Sequence, residues 1–192
     1  MVVSGAVEGA VDDALLRRLL ADHGHEPGPV YVKNGKHGLL QKLAGYNAAA
    51  QFSPWLVLVD LNGDAPCAGP FVAQHLPAPA PRMLFRVAVR QAEAWLLADR
   101  IGVASFLRVP RARLPADPET LPDAKQALVN VARNSSKRAV REEIIPRPKS
   151  GRKTGPAYVP QMIEFIQQHW SPQRAALGSD SLQRCLHRLS EI

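Results

Sequence analysis

The stretch Pro54-Trp55-Leu56-Val57-Leu58-Val59-Asp60-Leu61-Asn62-Gly63-Asp64 constrains the fold more than any other in the chain. Five consecutive apolar residues, Trp55 to Val59, run straight into an acidic turn that contains glycine. A short unbroken apolar run bounded by Pro and Gly reads as a strand buried on both faces, the kind found in parallel sheets. Asp60 then stands at the carboxyl end of that strand, with Asn62 and Asp64 on the loop leaving it. In an open α/β sheet, ligands bind in the crevice beyond the strand ends. A carboxylate beside a dry strand is costly unless it is solvated, hydrogen-bonded or bound to a cation. The candidate site is therefore placed here.

The flanking segments fit the same α/β plan. Val2 to Val7 is a first strand interrupted by Ser4-Gly5, and the apolar spacing of Val11, Leu15, Leu16, Leu19 and Leu20 predicts a helix after it. Asp12 and Asp13 fall in that helix's first turn, where they complement its dipole. Asp22 to Pro29 reads as a polar loop, Val30 to Val32 as a second strand, and Leu39 to Gln51 as one helix. A short helix is expected around Phe71 to His75. A strand over Arg82 to Val89 then leads into a strong helix former, Arg90 to Asp99, which carries Glu93 near its start. From residue 101 prolines punctuate a loop-rich section. Helices follow at Asp123 to about Arg133, Tyr158 to Trp170 and Ser181 to Leu189, and the segment Ser150 to Gly155 reads as flexible. The expected organisation is an α/β core over residues 1–100 with a basic, mainly helical extension over 101–192, packed together as one compact unit.

Charge separates the two halves. Of 24 basic and 17 acidic residues, nine of each lie in residues 1–100, so the whole excess of +7 belongs to the second half. It is concentrated between Arg133 and Lys153, where eight Lys and Arg face only Glu142 and Glu143. Such asymmetry points either to a polyanionic partner or to a solvated basic surface. No apolar run is long enough to span a membrane, and the N-terminus lacks a secretory pattern. Cys67 and Cys185 are too few and too far apart for a disulfide scaffold or zinc site, so a reducing cytoplasm is expected.

Several motifs are excluded. A phosphate loop ending at Gly35-Lys36 would need Gly at 30 and Ser or Thr at 37, where the chain has Val30 and His37. Lys36 is left as a phosphate contact or a solvated turn lysine. A calcium loop beginning at Asp60 would need Gly at 65 and Glu at 71, where the chain has Ala65 and Phe71. What remains is a set of acids at successive strand ends: Glu8, Asp60, Asp64 and Glu93. Hard oxygen donors of this kind suit Mg²⁺ or Mn²⁺, which need only one or two carboxylates beside water and phosphate. Turn and helix-cap chemistry is the competing explanation for each acid taken singly.

Val7-Glu8-Gly9 with Asp12, followed by Val57-Leu58-Val59-Asp60-Leu61-Asn62-Gly63-Asp64, resembles the two signature segments of the TOPRIM fold of topoisomerases, bacterial primases and overcoming-lysogenization-defect nucleases. Arg86 to Arg90, Glu93 to Asp99 and Gly155 to Tyr158 are more specifically similar to the domain-of-unknown-function family 4276, whose members are often encoded beside ATPases. The resemblance implies a Rossmann-like, mostly parallel sheet flanked by helices, with Glu8 as ligand or general acid/base and Asp60 as the first aspartate of an Asp-x-Asp pair. The second aspartate falls on Asn62, a neutral and weaker ligand, so either Asp64 supplies the missing charge or the site binds metal poorly. The function expected is Mg²⁺-dependent phosphoryl transfer, a nuclease acting on DNA or RNA. Its catalytic acids would be Glu8, Asp60 and Asp64, with Asn62 and Glu93 as further metal ligands. Nucleic-acid contacts are expected from Lys36, Arg86, Lys137, Arg138, Arg141, Lys149, Arg152 and Lys153. The alternative is a non-catalytic module that binds nucleic acid or an ATPase.

Overall fold

A computed structural model describes residues 1–192. Four parallel strands, β1 (Val2–Val7), β2 (Glu26–Val32), β3 (Trp55–Asp60) and β4 (Met83–Ala88), form one sheet in the order β2-β1-β3-β4. Helices flank it on both faces, a Rossmann-like arrangement. The two-residue alternation of a strand explains why β3 is apolar throughout. Leu56 and Leu58 enter one core with α1 (Ala10–Asp22), whereas Trp55, Val57 and Val59 enter another with α2 (Lys36–Gln41), α3 (Leu43–Ala49) and α4 (Ala68–His75). By the same alternation Asp60 belongs to the α1 face.

The first of these cores draws on both halves of the chain, from Val3 to Leu189. At its centre lies α5 (Ala92–Ala98), every residue of which is buried. The Trp95 indole N–H donates to Ser181 Oγ at 2.7 Å, and that of Trp170 to the Trp95 carbonyl at 3.2 Å. Both polar atoms are thus satisfied inside the apolar mass, as burial requires. Around α5 pack α6 (Arg100–Leu107), α7 (Ala124–Ala132), α8 (Arg138–Ile144), α9 (Tyr158–Gln168), α10 (Pro172–Ala176) and α11 (Asp180–Leu189). No helix is long and apolar enough to cross a membrane.

Three departures from the expected elements have physical reasons. β2 begins at Glu26, inside the expected loop, and runs through Pro27 and Pro29. It is an edge strand paired only with β1, so a proline can lack its N–H without breaking an inner ladder. The helix expected over Leu39 to Gln51 divides at Lys42, yet Leu39, Leu43, Tyr46 and Ala50 still share one buried face across the break. The helix expected through Asp99 ends there, and α6 occupies the start of the loop-rich section. The buried Asp99 carboxylate caps α6 through the Gly102 N–H, accepts from the Ser171 N–H, and pairs with Arg174 at 2.7 Å.

Gly5 allows α1 to lie close to the sheet. A Cβ there would come within 2.9 Å of Leu16 Cδ1 and 3.0 Å of its Cδ2, and Leu16 is wholly buried. Overpacking such a site is expected to destabilise by about 1–3 kcal/mol. Gly5→Ala should therefore lower the denaturant midpoint without changing the slope of the transition, measured by urea unfolding.

Candidate functional site

The strand order reverses at β1. Its first crossover leads to β2 on one side, and the chain then returns to place β3 on the other. This is the topological switch point, where a crevice opens between neighbouring strand ends. Glu8 directly follows β1 and Asp60 ends β3, so the two flank that crevice. The Asp60 N–H donates to Glu8 Oε1 at 2.9 Å. Two further acids join them in a cavity of about 300 Å³: Asp12 from the first turn of α1 and Glu93 from the first turn of α5. Lys125 of α7, Thr154 and Tyr158 of α9 complete its polar walls.

Each carboxylate is held by one oxygen. Asp12 Oδ2 accepts the Gly9 N–H at 2.9 Å, and Asp60 Oδ1 accepts the Ala92 N–H at 2.8 Å. Glu93 Oε1 accepts the Tyr158 hydroxyl at 3.1 Å and lies 3.3 Å from the Lys125 ammonium. These anchors come from backbone N–H groups at strand and helix ends and from buried side chains, so the arrangement is built by the fold. The other oxygen of each carboxylate has no partner within the protein and is not sealed away from solvent.

The grouping carries electrostatic stress. Burial pushes the Asp12 carboxyl up to about 7, helped by repulsion from Glu93 and Glu8. Burial likewise raises Asp60 well above the carboxylate range, with Asp12, Glu93 and Glu8 adding to it. Glu8 is also raised by burial, against the lowering effects of the Asp60 N–H, Lys36 and Lys125. For Lys125 burial acts downward, but Glu93 and then Asp60 and Asp12 hold its ammonium above its ordinary value. Burial and Glu93 keep the Tyr158 phenol neutral, fixing it as a donor. Like charges crowded in a partly desolvated cleft, each shifted by identifiable neighbours, are a recurring property of functional sites.

The donor set fits a divalent cation of one kind. The free oxygens are hard ligands, and one ammonium opposes four carboxylates. No three Asp, Glu, His or Cys side chains stand together at ligand spacing. A divalent ion here would have at most one or two protein carboxylates as direct ligands and no closed cage. That is how Mg²⁺ is ordinarily held, with water and phosphate completing its shell.

The structure sorts the sequence-predicted residues. Glu8, Asp60 and Glu93 come together, whereas Asp64 and Asn62 do not line the cavity. The Asp64 carboxylate is bound by the Lys36 ammonium at 2.6 Å, and Lys36 also donates to the Leu61 carbonyl. Lys36 is thereby engaged within the fold, 5.5 Å above the Phe71 ring. Asn62 sits in left-handed backbone at φ 52°, and its Oδ1 accepts from Gln91 at 3.3 Å. Arg86 does not line the acid cavity but a separate, larger one of about 790 Å³ between α4, β4 and α11. That cavity gathers no comparable set of open carboxylates, since its Glu119 is already bonded by Ser179 and Ser181.

Among the expected basic contacts, Arg138 pairs with Glu142, Arg141 donates to the Ser135 carbonyl, and Lys137 lines a separate cavity with Arg108 and Glu143. Lys149, Arg152 and Lys153 lie exposed on the loop between α8 and α9. Sequence reasoning passed over Asp12, Lys125 and Tyr158 as site residues. Asp12 alone left a local signal, because it lies one helical turn beyond Glu8 while Asp13 turns aside to pair with Arg17 at 2.8 Å.

Comparison with models of known protein families, with curated proteins and with solved structures returns no match. The functional reading therefore rests on the site itself.

Proposed function

We propose that this protein is a TOPRIM-like, Mg²⁺- or Mn²⁺-dependent phosphoryl-transfer enzyme, a nuclease acting on DNA or RNA. The observation that carries this reading is the convergence of Glu8, Asp12, Asp60 and Glu93 from four chain segments on one cavity at the switch point of a parallel sheet. Glu8 and Asp60, which flank the crevice, would be the direct ligands of the ion, with Glu93 adding negative charge behind them. The chemistry of such an ion when bound is to activate water and neutralise charge on a phosphodiester. Asp12 Oδ1 is suited to hold and release a proton, since a group titrating at about 7 is balanced between acid and base at working pH. Tyr158 orients Glu93, and Lys125 offsets part of the negative charge that would repel a polyanion. The exposed cations between α8 and α9 supply a salt-sensitive hold on the backbone.

The test is incubation of the purified protein with single- and double-stranded DNA and RNA, with Mg²⁺, with Mn²⁺ and with a chelator. Cutting that needs the metal is expected, and no cutting of any substrate with either ion overturns the proposal. One feature favours a second reading. The Lys125 ammonium already sits on Glu93 inside the acid cavity, so a resident cation would suffice for a non-catalytic module that binds nucleic acid or an ATPase. That reading expects salt-sensitive binding without metal-dependent turnover.

A further inference from the structure

Thr154 is a wall shared by two cavities. On one side it lines the acid cavity, and on the other a cavity of about 310 Å³ whose remaining walls are Arg147, Ser150, Arg152 and Pro156. Of the cations nearby, Arg138 pairs with Glu142, Arg141 donates to the Ser135 carbonyl and Lys153 lies 3.9 Å from Asp123, while Lys149 is exposed on the loop and does not line this cavity. The guanidinium groups of Arg147 and Arg152 have no acidic partner and no acceptor within the protein. The loop that carries them is nevertheless shaped. Ser150 N–H donates to the Arg147 carbonyl at 3.1 Å, the Arg152 N–H donates to Ser150 Oγ at 3.3 Å, and Lys149 and Gly151 take left-handed conformations. Gly155 pins its end, donating its N–H to the Ile144 carbonyl at 2.8 Å where a Cβ could not fit against the Glu143 carbonyl.

Two unpaired guanidinium groups at one polar opening repel each other until an anion lies between them. The forked geometry of arginine matches phosphate oxygens, and the hydroxyls of Ser150 and Thr154 add neutral donors. The acid cavity next door repels a phosphodiester, so a substrate gains most where positive charge adjoins it. We propose that Arg147, Ser150, Arg152 and Thr154 form a phosphate subsite for a nucleic-acid strand, taking the phosphate next to the one presented to the acids. This rests on the phosphoryl-transfer reading, but its test does not require turnover.

Binding of a short, 3′-labelled single strand is measured by fluorescence anisotropy in chelator, over a salt series. Arg147→Ala/Arg152→Ala is expected to weaken binding about tenfold and to reduce the slope of log affinity against log salt by about 0.7–1, one phosphate contact's worth. Arg184→Ala, a surface arginine paired with Asp180 away from the loop, should stay within about twofold. Wild-type preference for a 5′-phosphorylated over a 5′-hydroxyl strand, lost in the double variant, assigns the pocket to a terminal phosphate. Equal affinity for both strands assigns it to an internal one. A double variant that binds as wild type, or an equal loss in Arg184→Ala, overturns the subsite. Loss of binding in the double variant of a protein that cuts nothing keeps the subsite and removes the nuclease.

Discussion

Asp60→Asn is expected to abolish metal-dependent cutting and, in the same molecule, to make the metal-free protein more stable. Asp60 is half-buried beside Asp12, Glu93 and Glu8, and desolvation with their repulsion displaces its carboxyl well upward. A carboxyl displaced upward by one pH unit removes about 1.4 kcal/mol from the folded state once the pH exceeds both its values. Neutralising it should therefore raise the chelator Tm by at least about 2–4 °C, the shift that about 1 kcal/mol makes in a chain of this size. Asn keeps an oxygen to accept the Ala92 N–H, so the start of α5 stays supported. Asp60→Ala lacks that acceptor and should gain less. Activity should fall by at least about 10²-fold, the scale on which removing one pre-organised charge-stabilising group acts. Thermal melts in chelator and initial cutting rates with Mn²⁺ measure the two effects. A lower Tm with activity intact would mean that Asp60 is a structural cap and nothing more.

The strand ending in Asp60 was legible because a run apolar at both parities can only be covered on both faces. That placed Asp60 at the mouth of a parallel sheet, and the chain delivers it there. Glu8 and Glu93 were legible by the same logic, each lying just past a strand. The turn Asn62-Gly63-Asp64 misled because its composition says where the chain bends, not where a side chain ends. Lys36 takes the Asp64 carboxylate, and Gln91 takes the Asn62 amide oxygen. Asp12 looked sufficiently explained by the helix dipole, and its Gly9 bond shows that this role is real. The same residue also faces Glu93 and Glu8, a second role at which only its spacing from Glu8 hinted. Lys125 left no mark at all, and Tyr158 figured only as the end of the Gly155 to Tyr158 resemblance, with no role attached. Their neighbours in sequence are ordinary helix, and only the docking of α7 and α9 on α5 brings them to Glu93.

Without a divalent ion, stability should fall as the pH rises from about 4 to about 7, and Mg²⁺ should remove that fall. Asp12 titrates at 3.8 when unperturbed and at about 7 in the folded protein. Between those values the folded chain holds a proton that the unfolded chain has released. Linkage then makes the folded state lose stability with rising pH, on the order of 4 kcal/mol if the whole displacement acts. The sign is opposite to that of a salt-bridged carboxylate, whose contribution grows with rising pH and is nearly complete once the pH passes its unfolded value. A divalent ion on the neighbouring carboxylates offsets the charge that raises Asp12 and favours its ionised form, so ion binding tightens as the pH rises and releases protons on mixing. The Mg²⁺-induced rise in Tm should therefore be much larger near about pH 8 than near about pH 5. Asp12→Asn isolates the share of this dependence that belongs to Asp12. It should flatten part of the slope in chelator, while the share of Asp60 and Glu8, raised by the same burial and crowding, remains. Differential scanning calorimetry across the pH range, in chelator and in Mg²⁺, gives all four curves. A wild-type Tm in chelator that climbs from about 4 to about 7 would mean that the acids of this cavity are already neutralised within the fold, by Lys125 and the surrounding N–H groups, with no charge left over for a cation to meet.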